Sequence, residues 1–117
     1  MNIESLRDYC LTLPGTTEGF PFGEQTLVFK VREKVFLLTP LDSVQVQFNA
    51  KCDPVKALEL RERHDCVLPG YHMNKKHWNT VRADGSVSND TSKSWVKDSY
   101  DLVVASLPAK ARAELMS

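Results

Sequence analysis

The run Tyr71-His72-Met73-Asn74-Lys75-Lys76-His77-Trp78-Asn79 sets two lysines and two titratable histidines between aromatic side chains. Cations neutralise phosphate, and tyrosine or tryptophan rings can stack on or wedge between bases, so this mixture fits nucleic-acid contact. The same residues have a plainer reading, with Trp78 in the core and Lys75-Lys76 as the solvated tip of a hairpin. His64, Cys66, His72 and His77 also fall within one short span and offer imidazole and thiolate to a metal such as zinc. Their spacing does not support that: His72 and His77 are five apart, so on one continuous strand they face opposite sides, and no paired cysteine motif joins them. We therefore expect no metal and no cofactor.

Other chemistries lack their motifs. The five glycines, Gly15, Gly19, Gly23, Gly70 and Gly85, assemble neither G-x-G-x-x-G nor G-x-x-x-x-G-K-[ST]. The nucleophile elbow G-x-S-x-G is missing as well. No catalytic site can be read, and the expectation is a protein that is not an enzyme. His72 or His77 would be the acid or base if it were one, because imidazole titrates near neutrality.

Behind these residues stand elements that the pattern predicts in order. Asn2 caps a first helix with Ile3, Leu6, Cys10 and Leu13 on one face, ended by Pro14 and Gly15. Thr16 to Glu24, with Gly19, Pro21 and Gly23, reads as a loop pinned by Phe20 and Phe22. Gln25 to Val31 and Lys34 to Thr39 form a hairpin across Arg32-Glu33. Val44 to Phe48 alternates Val44, Val46 and Phe48 against Gln45 and Gln47, a strand with one buried and one wet face. Asp53-Pro54 starts a second helix running to about Arg63, with Val55, Leu58 and Ala57 as its few core contacts. Val67-Leu68-Pro69-Gly70 reads as a turn, His77 to Val81 as a strand, and Asp84-Gly85 as a turn. A helix from Asp90 or Thr91 carries Trp95, Val96, Leu102 and Val103 on a stripe, and Ala109 to Met116 forms a short last helix after Pro108. This order lacks strict βαβ alternation, so the simplest architecture is α+β: a two-layer sandwich with helices on one face of an antiparallel sheet.

The chain has 117 residues, 42% hydrophobic and 26% charged, which suits one domain with one core. Fifteen basic and fifteen acidic residues cancel, so no global field draws nucleic acid, and any such affinity comes from a local patch. No long uncharged apolar run or signal-peptide pattern occurs, and we expect a cytoplasmic protein without a membrane partner, monomeric in the simplest case. Cys10, Cys52 and Cys66 form an odd, widely spaced set that fits reduced, buried thiols.

The stretch from Leu68 to Val81 resembles the signature of the MmcQ/YjbR family. Leu13-Pro14-Gly15-Thr16, Phe22-Gly23, Val28-Phe29-Lys30-Val31, Asp53-Pro54, Ser99-Tyr100-Asp101-Leu102-Val103 and Leu107-Pro108 agree in order, so the resemblance covers nearly the whole chain. It implies a CyaY-like fold, related in shape to frataxin, and a double-wing DNA-binding motif in which hairpins are the wings. Carried onto this chain, the first wing is the tip at Arg32, Glu33 and Lys34, and the second runs from His72 to Trp78. Glu33 would repel phosphate there. Iron binding is not carried over, because the first helix offers only Glu4 and Asp8 with Arg7 between them.

The leading expectation is thus DNA binding, with Arg32, Lys34, Lys75 and Lys76 on phosphates and Tyr71, His72, Asn74, His77 and Trp78 shaping the second wing. It requires the lysines and at least one ring to share an exposed face. The alternative is a non-catalytic protein-interaction or small-ligand adaptor that uses the open sheet face, with Gln45, Gln47, Phe20 and Phe22 as contacts.

Overall fold

The structure, a computed structural model, describes residues 1–71 and 73–116. Its elements run α1 (Ile3–Thr12), β1 (Thr16–Gly19), β2 (Thr26–Val31), β3 (Lys34–Pro40), β4 (Gln47–Lys51), α2 (Pro54–Arg63), β5 (Val67–Pro69), β6 (Trp78–Arg82), α3 (Asn89–Ala105) and α4 (Ala109–Met116). The six strands make one sheet in the order β1-β2-β3-β4-β6-β5, with every neighbouring pair antiparallel. The predicted α+β sandwich is what forms.

Strand register divides the sheet into two faces. Leu27, Phe29, Leu37, Phe48, Ala50, Val67 and Val81 point at the helices and are buried with Leu6, Cys10, Val96 and Val103. Phe36 lies in the same core, edge-on to Tyr100 with ring centroids 5.4 Å apart. Helix α3 is pinned across the middle by Ser99, whose hydroxyl accepts from Lys51 N at 2.8 Å and donates to Phe36 O at 2.5 Å. Tyr100 OH donates to Pro14 O and so ties α3 to the turn after α1. That turn uses Gly15 at φ +74, and a Cβ there would stand 2.3 Å from Leu115 Cδ2 of α4.

The caps of α1 and α2 are the predicted ones, while α3 starts at Asn89 behind a Ser88 cap rather than at Asp90 or Thr91. Asn2 and Ser5 make a reciprocal capping box on α1, and Asp53 accepts from Val55 N and Lys56 N ahead of α2. The Arg32-Glu33 link forms a two-residue turn with both residues left-handed, φ 49 and 68, as a type I′ hairpin requires.

Several expectations need correction. Thr16 to Gly19 is a strand, because the edge of β2 offers its backbone partners, and tertiary pairing outweighs the glycine and proline nearby. Phe20 and Phe22 pin nothing: they are exposed. The third strand begins at Gln47, so Val44 is a fully exposed loop residue and only Phe48 of the alternating set is fully buried. Val67 to Pro69 is a strand at the sheet edge, where a proline without an N–H costs no ladder bond. On the helices, Val55 and Leu58 face outward while Ala57 carries the buried contact, and Leu102 is exposed where Ser99 and Tyr100 are buried. The three cysteines are free and buried.

Candidate functional site

The loop joining β5 to β6 is built on close backbone approach. Gly70 N donates to Trp78 O at 2.9 Å, and a Cβ on Gly70 would sit 2.8 Å from Trp78 Cβ, so only glycine fits. Tyr71 N then donates to Thr80 Oγ1 at 2.9 Å, and Thr80 Oγ1 donates to Asn49 Oδ1, which folds the chain back over the sheet face turned away from the helices. Asn74 shapes the return: its side chain accepts from Lys76 N at 2.9 Å, and its carbonyl accepts from Trp78 N at 2.9 Å and His77 N at 3.2 Å.

Arg61 of α2 braces this loop, a role the sequence did not suggest among the charges of that helix. Its Nε donates to Asn79 Oδ1 at 2.7 Å, and its Nη2 donates to the carbonyls of Lys75 and Trp78. An Arg eighteen residues upstream of its partner leaves no local signal in the sequence.

The residues singled out as a second wing therefore separate. Tyr71 is 64% exposed and leans over the open sheet face. Lys75 and Lys76 lie on the other side of the loop, where they line a hollow with Val55 and Leu58 of α2. Trp78 is half-buried opposite Lys51, and His77 is half-buried with its carbonyl accepting from Cys52 N at 2.7 Å. His72 lies outside the described residues. In the first wing, Lys34 is exposed, but Arg32 pairs with Glu114 of α4 at 2.7 Å. Both loop tips do stand at one end of the sheet, since Val31 and Lys34 end their strands on the side where Pro69 and Trp78 end theirs. Three interstrand steps, roughly 14 Å, separate them.

A concave feature lies on the open face. A cleft of about 530 Å³ has Thr26, Leu38, Gln47 and Asn49 from β2, β3 and β4 as its floor. Phe22 from the β1–β2 connection walls one side, Tyr71 and Met73 wall the other, and Asp42 with Ser43 of the β3–β4 connection close one end. Of the adaptor contacts, Phe22 and Gln47 belong to it. Phe20 lines a separate hollow with Glu18, Lys30 and Glu33, and Gln45 is an exposed loop residue. The cleft was not legible because Val44 set the wrong start for β4, and because its aromatic walls come from loops far apart in sequence.

For a metal, His64 stacks edge-on against Trp95 with centroids 5.3 Å apart, and Cys66 is buried in the core. Among the described residues no group of three or more His, Cys, Asp or Glu could hold a metal ion. Nor is any helix among them long and apolar enough to cross a membrane. Burial pushes the Cys10 thiol up to about 12 and raises that of Cys52 as well, so neither is poised as a nucleophile.

An antiparallel sheet backed by helices, with an open face roofed by two loops, defines a small α+β fold. The family model described as YjbR matches residues 11–102, and the chain belongs to that family. It is similar to the uncharacterized protein YbdF of Escherichia coli O157:H7, 36% identical over 104 residues that cover 89% of this chain and 85% of that one. It is 31% identical to the uncharacterized protein YjbR of Escherichia coli strain K12 over 116 residues, 99% of this chain and 98% of that one. Among solved structures, a Deinococcus radiodurans protein of the domain family DUF419 superposes with a TM-score of 0.93 at 38% identity, covering 97% of this chain and 87% of that one. A Pseudomonas syringae protein does so at 0.75 with 26% identity, covering 87% and 98%.

Proposed function

We propose that the protein is a non-catalytic binding module whose open sheet face takes a small organic ligand between the β1–β2 and β5–β6 loops. The observation that carries this reading is the cleft of about 530 Å³ with an apolar and carboxamide lining. Ligand sites are typically roughly 300–1,000 Å³, mostly apolar, with a few placed polar groups, and this lining has that character. Gln47 and Asn49 supply donors and acceptors from rigid strands, while Phe22, Tyr71 and Met73 supply contact area.

The test is an NMR screen of an aromatic fragment library carrying neutral, cationic and anionic members. Binders are expected to shift the amides of Leu38, Gln47 and Asn49, and Tyr71→Ala is expected to weaken them about tenfold. Fragments that all map elsewhere would overturn the reading.

DNA contact is the second reading. It is favoured by Lys75 and Lys76, both exposed at the sheet end that also carries the Arg32–Lys34 tip. Weighing against it are the Glu114 partner of Arg32, the acid Glu33 in the same tip, and the opposite placement of Tyr71 and the two lysines. Anisotropy of a labelled duplex at low and near-physiological salt decides. If both lysines contact phosphate, Lys75→Ala/Lys76→Ala lowers the salt slope by roughly two. A duplex that stays unbound at low salt removes the reading.

A further inference from the structure

We infer that the open-face cleft selects a small organic cation with an apolar body, an assignment that rests on the ligand-binding reading above. Among the described residues, Asp42 is the only charged side chain in the lining, and it has no hydrogen-bond or ion-pair partner. A carboxylate at the end of a lining whose other described side chains are uncharged can serve as counterion to a ligand cation.

The topology places an aromatic ring at the same end. Thr26 and Pro40 are paired in register, and Leu41 N donates to Gln25 O at 2.7 Å, so the β3–β4 connection starting at Leu41 is tied to the residues that lead into β2. Phe22 precedes Thr26 by one turn closed by Thr26 N on Gly23 O, and it is 68% exposed. Phe22 and Asp42 therefore both line this end of the cleft, where an ammonium would gain from charge attraction and from the ring quadrupole.

The remainder of the ligand runs over Leu38 toward Asn49, under Tyr71. That path is apolar with carboxamides at its edge, which suits a hydrocarbon or aromatic body, and none of its described lining residues is cationic. Arg82 stands across from Gln47 on the same sheet face, outside the lining. The volume fits a single small molecule of this kind.

The experiment is an NMR titration with three probes of one shape: 2-phenylethylammonium, 2-phenylethanol and phenylacetate. The expected result is that 2-phenylethylammonium shifts the Leu38, Gln47 and Asn49 amides and binds about tenfold more tightly than 2-phenylethanol, with phenylacetate weakest. Asp42→Asn is expected to erase that preference, and Asp42→Glu to retain most of it. Asp42 is an exposed loop residue, so both variants should keep the wild-type spectrum elsewhere. Equal binding of amine and alcohol at those amides, unaffected by Asp42→Asn, overturns the charge selectivity and leaves the open-face reading standing. Preference for phenylacetate likewise overturns it. No shift at those amides with any probe at millimolar concentration overturns both.

Discussion

Ser99 satisfies two backbone groups from two strands with one hydroxyl while fully buried, which makes it a joint between α3 and the sheet. Ser99→Ala leaves the Lys51 N–H and a lone pair of Phe36 O without these partners, and is expected to lower stability by about 2 kcal/mol in urea unfolding. A loss under about 0.5 kcal/mol would show that other groups take over. Cys10 gives a second residue-scale expectation. Its thiol is pushed up to about 12 by burial, so an aromatic disulfide reagent at pH 8 should leave it unmodified in the folded protein and react after denaturation. Rapid modification of Cys10 under native conditions would contradict that packing.

At the scale of elements, the two loop devices differ in how they are held. The β2–β3 turn puts Arg32 and Glu33 at positive φ, where a side chain costs about 1 kcal/mol, so Glu33→Gly is expected to stabilise the protein by about that much. Unchanged or lower stability would mean that the Glu33 side chain itself contributes. The β5–β6 loop is locked instead by close approach. Gly70→Ala pushes a methyl into Trp78 Cβ and backbone, and is expected to shift Tyr71 and Met73, weaken any cleft ligand and cost about 2 kcal/mol. An unaltered spectrum for that loop would refute the packing described here. Arg61 serves the same loop from α2, and its charge is thereby committed to carbonyls rather than to a partner molecule.

Over the whole molecule, charge is balanced and spread in pairs that link distant segments. Arg7 grips Glu18 through two bonds of 2.7 and 2.6 Å, Arg32 holds Glu114, and Lys56 holds Asp98. The Arg7 guanidinium, donating to Glu18 against a smaller opposing effect of burial, keeps that carboxyl below its ordinary value. Because the folded value is depressed, the contribution is fully present above the ordinary carboxylate range and fades as pH falls through the lowered value. Glu18→Gln is therefore expected to destabilise at pH 7 and to match wild type in acid below that value, read by thermal unfolding. A difference that persisted unchanged into acid would assign it to packing instead.

Local rules were enough to read from the sequence the caps at Asn2 and Asp53, the Arg32-Glu33 hairpin, the α3 stripe through Trp95 and Val96, and the α+β class. Each depends on residues within one or two turns of one another. The resemblance carried by Leu68 to Val81 pointed to the family, which the match over residues 11–102 shows. What sequence could not decide was pairing and side. Thr16 to Gly19 and Val67 to Pro69 are strands only because β2 and β6 offer them edges, and Val44 lost its face once β4 took its register from Leu37 and Val81. The aromatic and basic residues of one short loop parted to opposite sides because Thr80 and Asn49 drew Tyr71 over the open face while Arg61 held the carbonyl of Lys75 toward α2. The cleft among Phe22, Asp42 and Tyr71 exists only in the tertiary structure, since its walls meet through strand order and not through spacing along the chain.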